Sequence, residues 1–133
     1  MNSLESVLLV DDDNINNYLN ARLIKKMRIT DNVKISLNGA EAIRFLNNEK
    51  SAENICPSLI LLDINMPVMN GFEFLEQFNK EKLCSNDPVI IMLTTSTNEK
   101  DIDNLKNFSS VSGYINKPLT EDKIRQIVEK YFN

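Results

Sequence analysis

The 133-residue chain contains no histidine. That absence excludes nucleophile pairs and triads built on His, zinc hydrolase sites with imidazole ligands, and self-phosphorylation on histidine. Any histidine chemistry must therefore belong to a partner. Long apolar runs are missing as well: stretches such as Val89 to Leu93 fall far short of the roughly 18 residues that span a bilayer, so no membrane association is expected. The short run Val7 to Val10 meets Asp11, Asp12 and Asp13 at once, unlike the longer apolar stretch of a secretory signal, and a cytoplasmic location is the expectation. Basic residues are not in excess: 15 Lys and Arg stand against 19 Asp and Glu, giving a net charge of -4 with no long basic run. Phosphate backbones demand clustered cations, so no nucleic-acid partner is expected, and Lys25, Lys26 and Arg28 read as a solvated helix end. The two cysteines, Cys56 and Cys84, form neither a CxxC pair nor part of a ligand cluster, and in a cytoplasmic chain they are expected to be reduced thiols without a function.

What is present is ordinary globular composition, 42% hydrophobic and 26% charged with only 3 Gly and 4 Pro, at a length that suits one domain with its own core. Strand candidates recur at Val7 to Val10, Val33 to Ile35, Leu59 to Leu62, Val89 to Leu93 and Tyr114 to Ile115, with room for a helix between each. Three of them are nearly continuous apolar runs, as parallel strands covered by helices on both faces require. The reading is an open α/β sheet of five βα units. Capping-box patterns at Asn38/Glu41, Asn70/Glu73 and Ser96/Glu99 mark helix starts. Inward faces are expected at Ile15, Leu19, Leu23 and Met27, and at Ile124, Ile127, Val128 and Tyr131. Between Asn98 and Phe108 only Ile102, Leu105 and Phe108 could face inward, which predicts a thinly anchored helix able to move. The expected organisation is a single domain over 1–133 without an output domain.

Ligands of open parallel sheets bind at the carboxyl ends of the strands. The residues that follow the apolar runs are Asp11, Asp12 and Asp13 after the first, Asp63 after the third, Thr94 and Thr95 after the fourth, and Lys117 after the fifth. Two unit charges 4 Å apart interact by about 4 kcal/mol at an effective dielectric near 20, so clustered carboxylates require a counter-charge. Asp11, Asp12 and Asp63 against Lys117 leave two negative charges, which one divalent ion cancels, and all-oxygen ligation favours Mg2+ or Mn2+. A cation, an ammonium and a hydroxyl around carboxylates suit phosphoryl transfer, with one carboxylate as nucleophile. Asp63 is the candidate, because it stands alone at its strand tip ahead of the Ile64-Asn65-Met66-Pro67 and Asn70-Gly71 turns.

Val-Asp-Asp at 10–12, Leu-Leu-Asp-Ile-Asn-Met-Pro-Val-Met-Asn-Gly at 61–71, Ile-Met-Leu-Thr-Thr at 91–95 and Gly-Tyr-Ile-Asn-Lys-Pro at 113–118 together resemble the response-regulator receiver domains of two-component signalling. The resemblance runs through essentially the whole chain, and four motifs in order at matching strand ends are far more specific than any one. It implies a flavodoxin-like, doubly wound five-stranded parallel sheet in the order 2-1-3-4-5 with five helices, of the stand-alone chemotaxis-receiver type. It further implies that Asp63 takes a phosphoryl group from a phosphohistidine on a sensor histidine kinase or histidine phosphotransfer protein. Asp12, Asp63 and the backbone carbonyl of Asn65 would hold Mg2+, with Asp11 in the outer shell. Thr94 and Lys117 would contact the phosphoryl oxygens, and Tyr114 would turn toward the space vacated by Thr94. The face made by the fourth helix, fifth strand and fifth helix would rearrange, docking a downstream protein that the chain does not identify or pairing two copies in a homodimer. Lys117-Pro118 is commonly cis in the family. Thr95 departs from the Ala or Gly usual after the hydroxyl, and its bulk is expected to slow loss of the phosphate.

Taken singly, each residue has a plainer reading. Asp13 suits a helix N-cap whatever the function, Asp63 an ordinary turn, Lys117 a surface lysine, and Tyr114 core packing. Two other functions stay open at this stage. One is a haloacid-dehalogenase-like phosphatase, with Asp11 as nucleophile and Asp13 as acid, although Ile15 fits its opening motif poorly and the later acidic motif is missing. The other is a pseudo-receiver that binds without being phosphorylated.

Overall fold

The computed structural model describes residues 4–50, 56–84, 86–95 and 99–132, with residues 48–50 described by backbone alone. Five strands, β1 (Val7–Val10), β2 (Val33–Ser36), β3 (Leu59–Asp63), β4 (Val89–Thr94) and β5 (Gly113–Asn116), alternate with α1 (Asn14–Lys26), α2 (Gly39–Lys50), α3 (Gly71–Glu81), α4 (Glu99–Leu105) and α5 (Glu121–Phe132). All neighbouring strands pair in parallel, in the order β2-β1-β3-β4-β5, as the resemblance implied.

The two-residue period of the strands divides the core into two layers. Leu8, Val10, Ile60, Leu62, Ile90 and Met92 point to the side covered by α2, α3 and α4, where they meet Ala42, Leu46, Phe74, Leu75, Phe78 and Leu105. Val7, Leu9, Leu59, Leu61, Ile91 and Leu93 point the other way, against Ile24 of α1 and Ile124, Ile127 and Val128 of α5. With both faces covered, β1 and β3 are buried throughout, and each such aliphatic side chain contributes about 1.5–3 kcal/mol by burial.

Local signals fix most helix starts. Asn70 and Glu73 form the full reciprocal capping box at α3, Asn38 Oδ1 accepts from the Glu41 amide at α2, and Asp13 caps α1 by accepting from Ile15 and Asn16. Ser96 lies outside the described residues, as does Asn98. Of the weak fourth helix, Leu105 is buried while Ile102 is half-buried. Phe108, just beyond it, stacks on Phe72.

Two expectations are corrected. The inward face of α1 keeps Leu23 and Met27, which pack half-buried against the core, but not Ile15 and Leu19, which are 70% and 52% exposed; Asn17 and Ile24 are the buried positions. The cause is the phase imposed at the helix start, where the Asp13 cap follows directly on the strand end and turns Asn17 inward to donate to the Asp11 carbonyl at 2.8 Å. The cysteines are not free thiols either. Cys56, ahead of β3, and Cys84, after α3, are joined in a disulfide with Cα atoms 5.6 Å apart. The connection follows from the βα unit itself, since α3 runs back along β3 and returns the chain to the strand's starting end, which a 28-residue spacing does not reveal.

Candidate functional site

The acidic residues converge where the parallel strands end. Val10 lies beside Leu62 in the sheet and Asp63 beside Leu93, so Asp11, Asp63 and Thr94 follow one another across three neighbouring strand tips. Carboxylate oxygens of Asp11, Asp12 and Asp63 all lie within 4.8 Å of one another. Lys117 reaches them from the far side of β4. Its amide donates to the Thr94 carbonyl at 2.9 Å, and its Nζ stands 2.9 Å from Asp11 Oδ2 and 3.3 Å from Asp63 Oδ2. The Lys117-Pro118 bond is cis.

Each group is held by its own backbone. Asp11 is buried, with Oδ1 accepting from the Asp13 amide and Oδ2 from Lys117, so both its oxygens are engaged inside the protein. Asp12 is exposed. Asp63 is buried, and the loop that follows it is pinned by the Gly71 amide donating to the Ile64 carbonyl at 2.8 Å. A Cβ on Gly71 would stand 2.6 Å from the Asp63 carbonyl oxygen, so only glycine lets α3 begin this close to the acceptor strand. Asn65 is exposed two residues beyond Asp63. Thr94 is 1% exposed beneath the rim, whereas Tyr114, on β5 opposite Met92, is 46% exposed. Asp13 stays outside the acidic cluster, its carboxylate used as the α1 cap.

Burial pushes the Asp63 carboxyl above the usual carboxylate range, with the neighbouring charge of Asp11 adding to the rise and Lys117 opposing it. For Lys117 burial acts downward, but its bonds to Asp11 and Asp63 outweigh that and hold the ammonium above its ordinary value. The cluster thus carries three carboxylates against one cation, and its donor set fits a hard divalent ion. Octahedral Mg2+ with ligands at about 2.1 Å sets them roughly 3–4 Å apart, and these oxygens lie within 4.8 Å of one another. Of the three carboxylates Asp12 is exposed, and Asp11 and Asp63 are buried.

Sequence reasoning overlooked Asn17, whose buried amide fixes the strand end carrying Asp11 and Asp12. Its signal was available, since Asn17, Ala21 and Ile24 form an alternative i, i+4, i+7 stripe that one polar residue disguises.

Comparisons with known proteins show the family and the fold. Residues 7–129 match the family model of the response regulator receiver domain. Among curated proteins the chain is 28% identical to the probable methanogenesis regulatory protein FilR2 of Methanothrix harundinacea, over 93% of this chain and 79% of that protein. It is 30% identical to hybrid signal transduction histidine kinase L of Dictyostelium discoideum, over 96% of this chain but 7% of that much longer protein. It spans about half of the probable C4-dicarboxylate response regulator DctR of Bacillus subtilis, 51% of its length. A solved two component response regulator from Cytophaga hutchinsonii superposes with a TM-score of 0.83 at 32% identity, covering 97% of each chain.

Proposed function

The chain belongs to the response regulator receiver domain family, and from that premise we propose that it is a phosphorylation switch whose acceptor is Asp63. The observation that carries the reading is the Asp63 carboxylate at the tip of β3, within reach of Asp11 and Asp12 and paired at 3.3 Å with Lys117. Receiver domains generally accept phosphoryl groups from histidine kinases and bind Mg2+ at an acidic cluster. For this chain, a sensor histidine kinase or histidine phosphotransfer protein is the proposed donor and the cytoplasm the proposed location. Among the described residues no helix is long and apolar enough to cross a membrane.

In the proposed reaction an Asp63 oxygen attacks the phosphorus of the donor's phosphohistidine, the P–N bond breaks, and an acyl phosphate remains on Asp63. Mg2+, held by Asp12, Asp63 and the Asn65 carbonyl with Asp11 behind, would supply neutralisation of the phosphoryl charge. Lys117 supports the same end by moving its weaker pair from the carboxylate to the new oxygens. The Thr94 hydroxyl, one residue beyond the neighbour of Asp63 in the sheet, is the proposed reader of the added group. Tyr114 is proposed to change its place with it and alter the α4-β5-α5 face, where a target protein or a second copy would dock. The weak anchoring of α4 by Leu105 supports that face as the movable one. Ile15 and Leu19 on α1 and Val68 in the β3–α3 loop are exposed apolar side chains at the same end of the sheet as Asp63, and they offer the donor a surface beside the acceptor.

Acetyl phosphate with and without Mg2+ tests the reading on wild type, Asp63→Asn and Asp11→Asn. Metal-dependent labelling lost in Asp63→Asn is the expected result. Multiple turnover of phosphomonoesters lost in Asp11→Asn would replace the switch with a phosphatase, and absence of metal-dependent labelling would replace it with a binding-only domain.

A further inference from the structure

The disulfide lies at the opposite end of the sheet from the acidic pocket, and the phosphoryl chemistry makes no use of it. Cys56 is 4% exposed and packs into the same core layer as Phe78 and Leu83. Cys84 is partly exposed. Together with Phe78, Lys82, Asn86, Asp87 and Ser110 it lines a cleft of about 610 Å³. The two cysteines are therefore unequal: Cys56 is sealed in the core, and Cys84 borders a cleft large enough for a small thiol. The ring they close is also specific, because it contains β3, the following loop and α3, and with them Asp63 and Gly71.

We propose that Cys56 and Cys84 form a reversible thiol–disulfide pair, opened by small thiols that enter this cleft and attack Cys84 Sγ, and that the bond is a redox clamp on the βα unit carrying Asp63. The attacking thiolate forms a mixed disulfide with Cys84 and expels Cys56 as a thiolate, which takes up a proton. A second thiol then attacks the mixed disulfide, frees Cys84 and leaves with the first as an oxidised disulfide. One protein disulfide is reduced to two thiols while two reductant thiols become one disulfide. Closure is the reverse, with a small-molecule disulfide such as oxidised glutathione as the two-electron acceptor. Cys56 is buried while Cys84 borders the cleft, so access makes the Cys84 sulfur the point of attack, and departure of Cys56 into the core keeps opening slow. In a reducing compartment the open form prevails, and an oxidising shift closes the clamp.

The proposal stands apart from phosphoryl transfer and is tested without it. The intact protein, first oxidised, is equilibrated in mixtures of reduced and oxidised glutathione, alkylated under native conditions with a maleimide-polyethylene glycol, and melted. Two thiols are expected to be released in the folded protein, with Cys84 alkylated before Cys56. The thermal midpoint should fall by about 10 °C on reduction, since the closed ring restrains the unfolded chain. A Cys56→Ser, Cys84→Ser double variant should melt at the reduced protein's midpoint under every mixture. A bond reduced only after unfolding, two thiols that oxidised glutathione never joins, or an unchanged midpoint on reduction would each overturn the proposal.

Discussion

Lys117 holds Asp63 at 3.3 Å, the longer of its two ion pairs, the shorter being the 2.9 Å contact with Asp11. The ammonium is thus anchored on one carboxylate and shared with the other. Such an arrangement leaves the bond to Asp63 free to be exchanged for another anion without setting Lys117 adrift. Asp63 is also the carboxylate that burial holds above its usual range, so the folded protein bears a cost for keeping it ionised until a further cation arrives.

That cost has a definite sign with pH. Because the folded-state value of Asp63 lies above the unfolded one, the folded protein binds this proton more readily, and stability falls as pH rises through the folded value. Asp63→Asn, which cannot ionise, should be more stable than wild type at neutral pH without metal, and the gap should close as pH falls toward the ordinary carboxylate range. Thermal melts in chelator across that range check this. A variant less stable than wild type at neutral pH would contradict it.

Removing the cation has the opposite effect. Lys117→Ala leaves Asp11 and Asp63 facing each other without a counter-charge, and with the Lys117 side chain 16% exposed the loss should be about 2 kcal/mol, below the range for fully buried pairs. Millimolar Mg2+ should restore part of it. Urea unfolding with and without Mg2+ is the measurement, and a loss that Mg2+ does not reduce would mean that the acidic cluster does not bind the ion.

The strands and the acidic residues were legible in the sequence because burial on both faces demands continuous apolar runs, and the residues after those runs fall at one end of a parallel sheet. Helix phase was less legible. Ile15 and Leu19 have the spacing of a buried stripe, yet the Asp13 cap and the bond from Asn17 to Asp11 rotate them outward. The Cys56–Cys84 contact was not legible either, since it depends on where α3 ends rather than on any local motif. Gly71 showed in the sequence only as part of a turn, while its larger role, the close approach of α3 to the Asp63 carbonyl, is a tertiary property.

Gly71→Ala should therefore be costly. The added methyl meets backbone atoms of Asp63 and Ile64, which cannot yield as a flexible side chain would, and a destabilisation of about 2–3 kcal/mol is expected together with weaker Mg2+ binding. Chemical denaturation and metal titration measure the two effects. A variant as stable as wild type would show that the loop shifts freely.

The exposed apolar face of α1 predicts a separation of stability from transfer. Replacing Ile15 and Leu19 with Ser should change stability by no more than about 0.5 kcal/mol each, while phosphoryl transfer from a histidine-phosphorylated donor slows by roughly tenfold or more if either side chain is an interface anchor. Labelling by acetyl phosphate, which needs no docking, should be unchanged. Equal transfer rates would remove α1 from the donor surface.

Thr95 is exposed beside the buried Thr94. Its bulk at the mouth of the pocket is expected to hinder the attacking water, so Thr95→Ala should lose the phosphoryl group a few-fold faster, a change below about 1.4 kcal/mol in the barrier. Decay followed after removal of the phosphoryl donor gives the rates, and equal rates would assign Thr95 no part in the lifetime.

The central claim is the identity of the acceptor. Protein phosphorylated in Mg2+ can be reduced with borohydride, which converts an acyl-phosphorylated aspartate to homoserine, and then mapped by peptide mass spectrometry. Homoserine at position 63, absent when Mg2+ is withheld, is the predicted result; homoserine at position 11 or 12, or at no position, would contradict it.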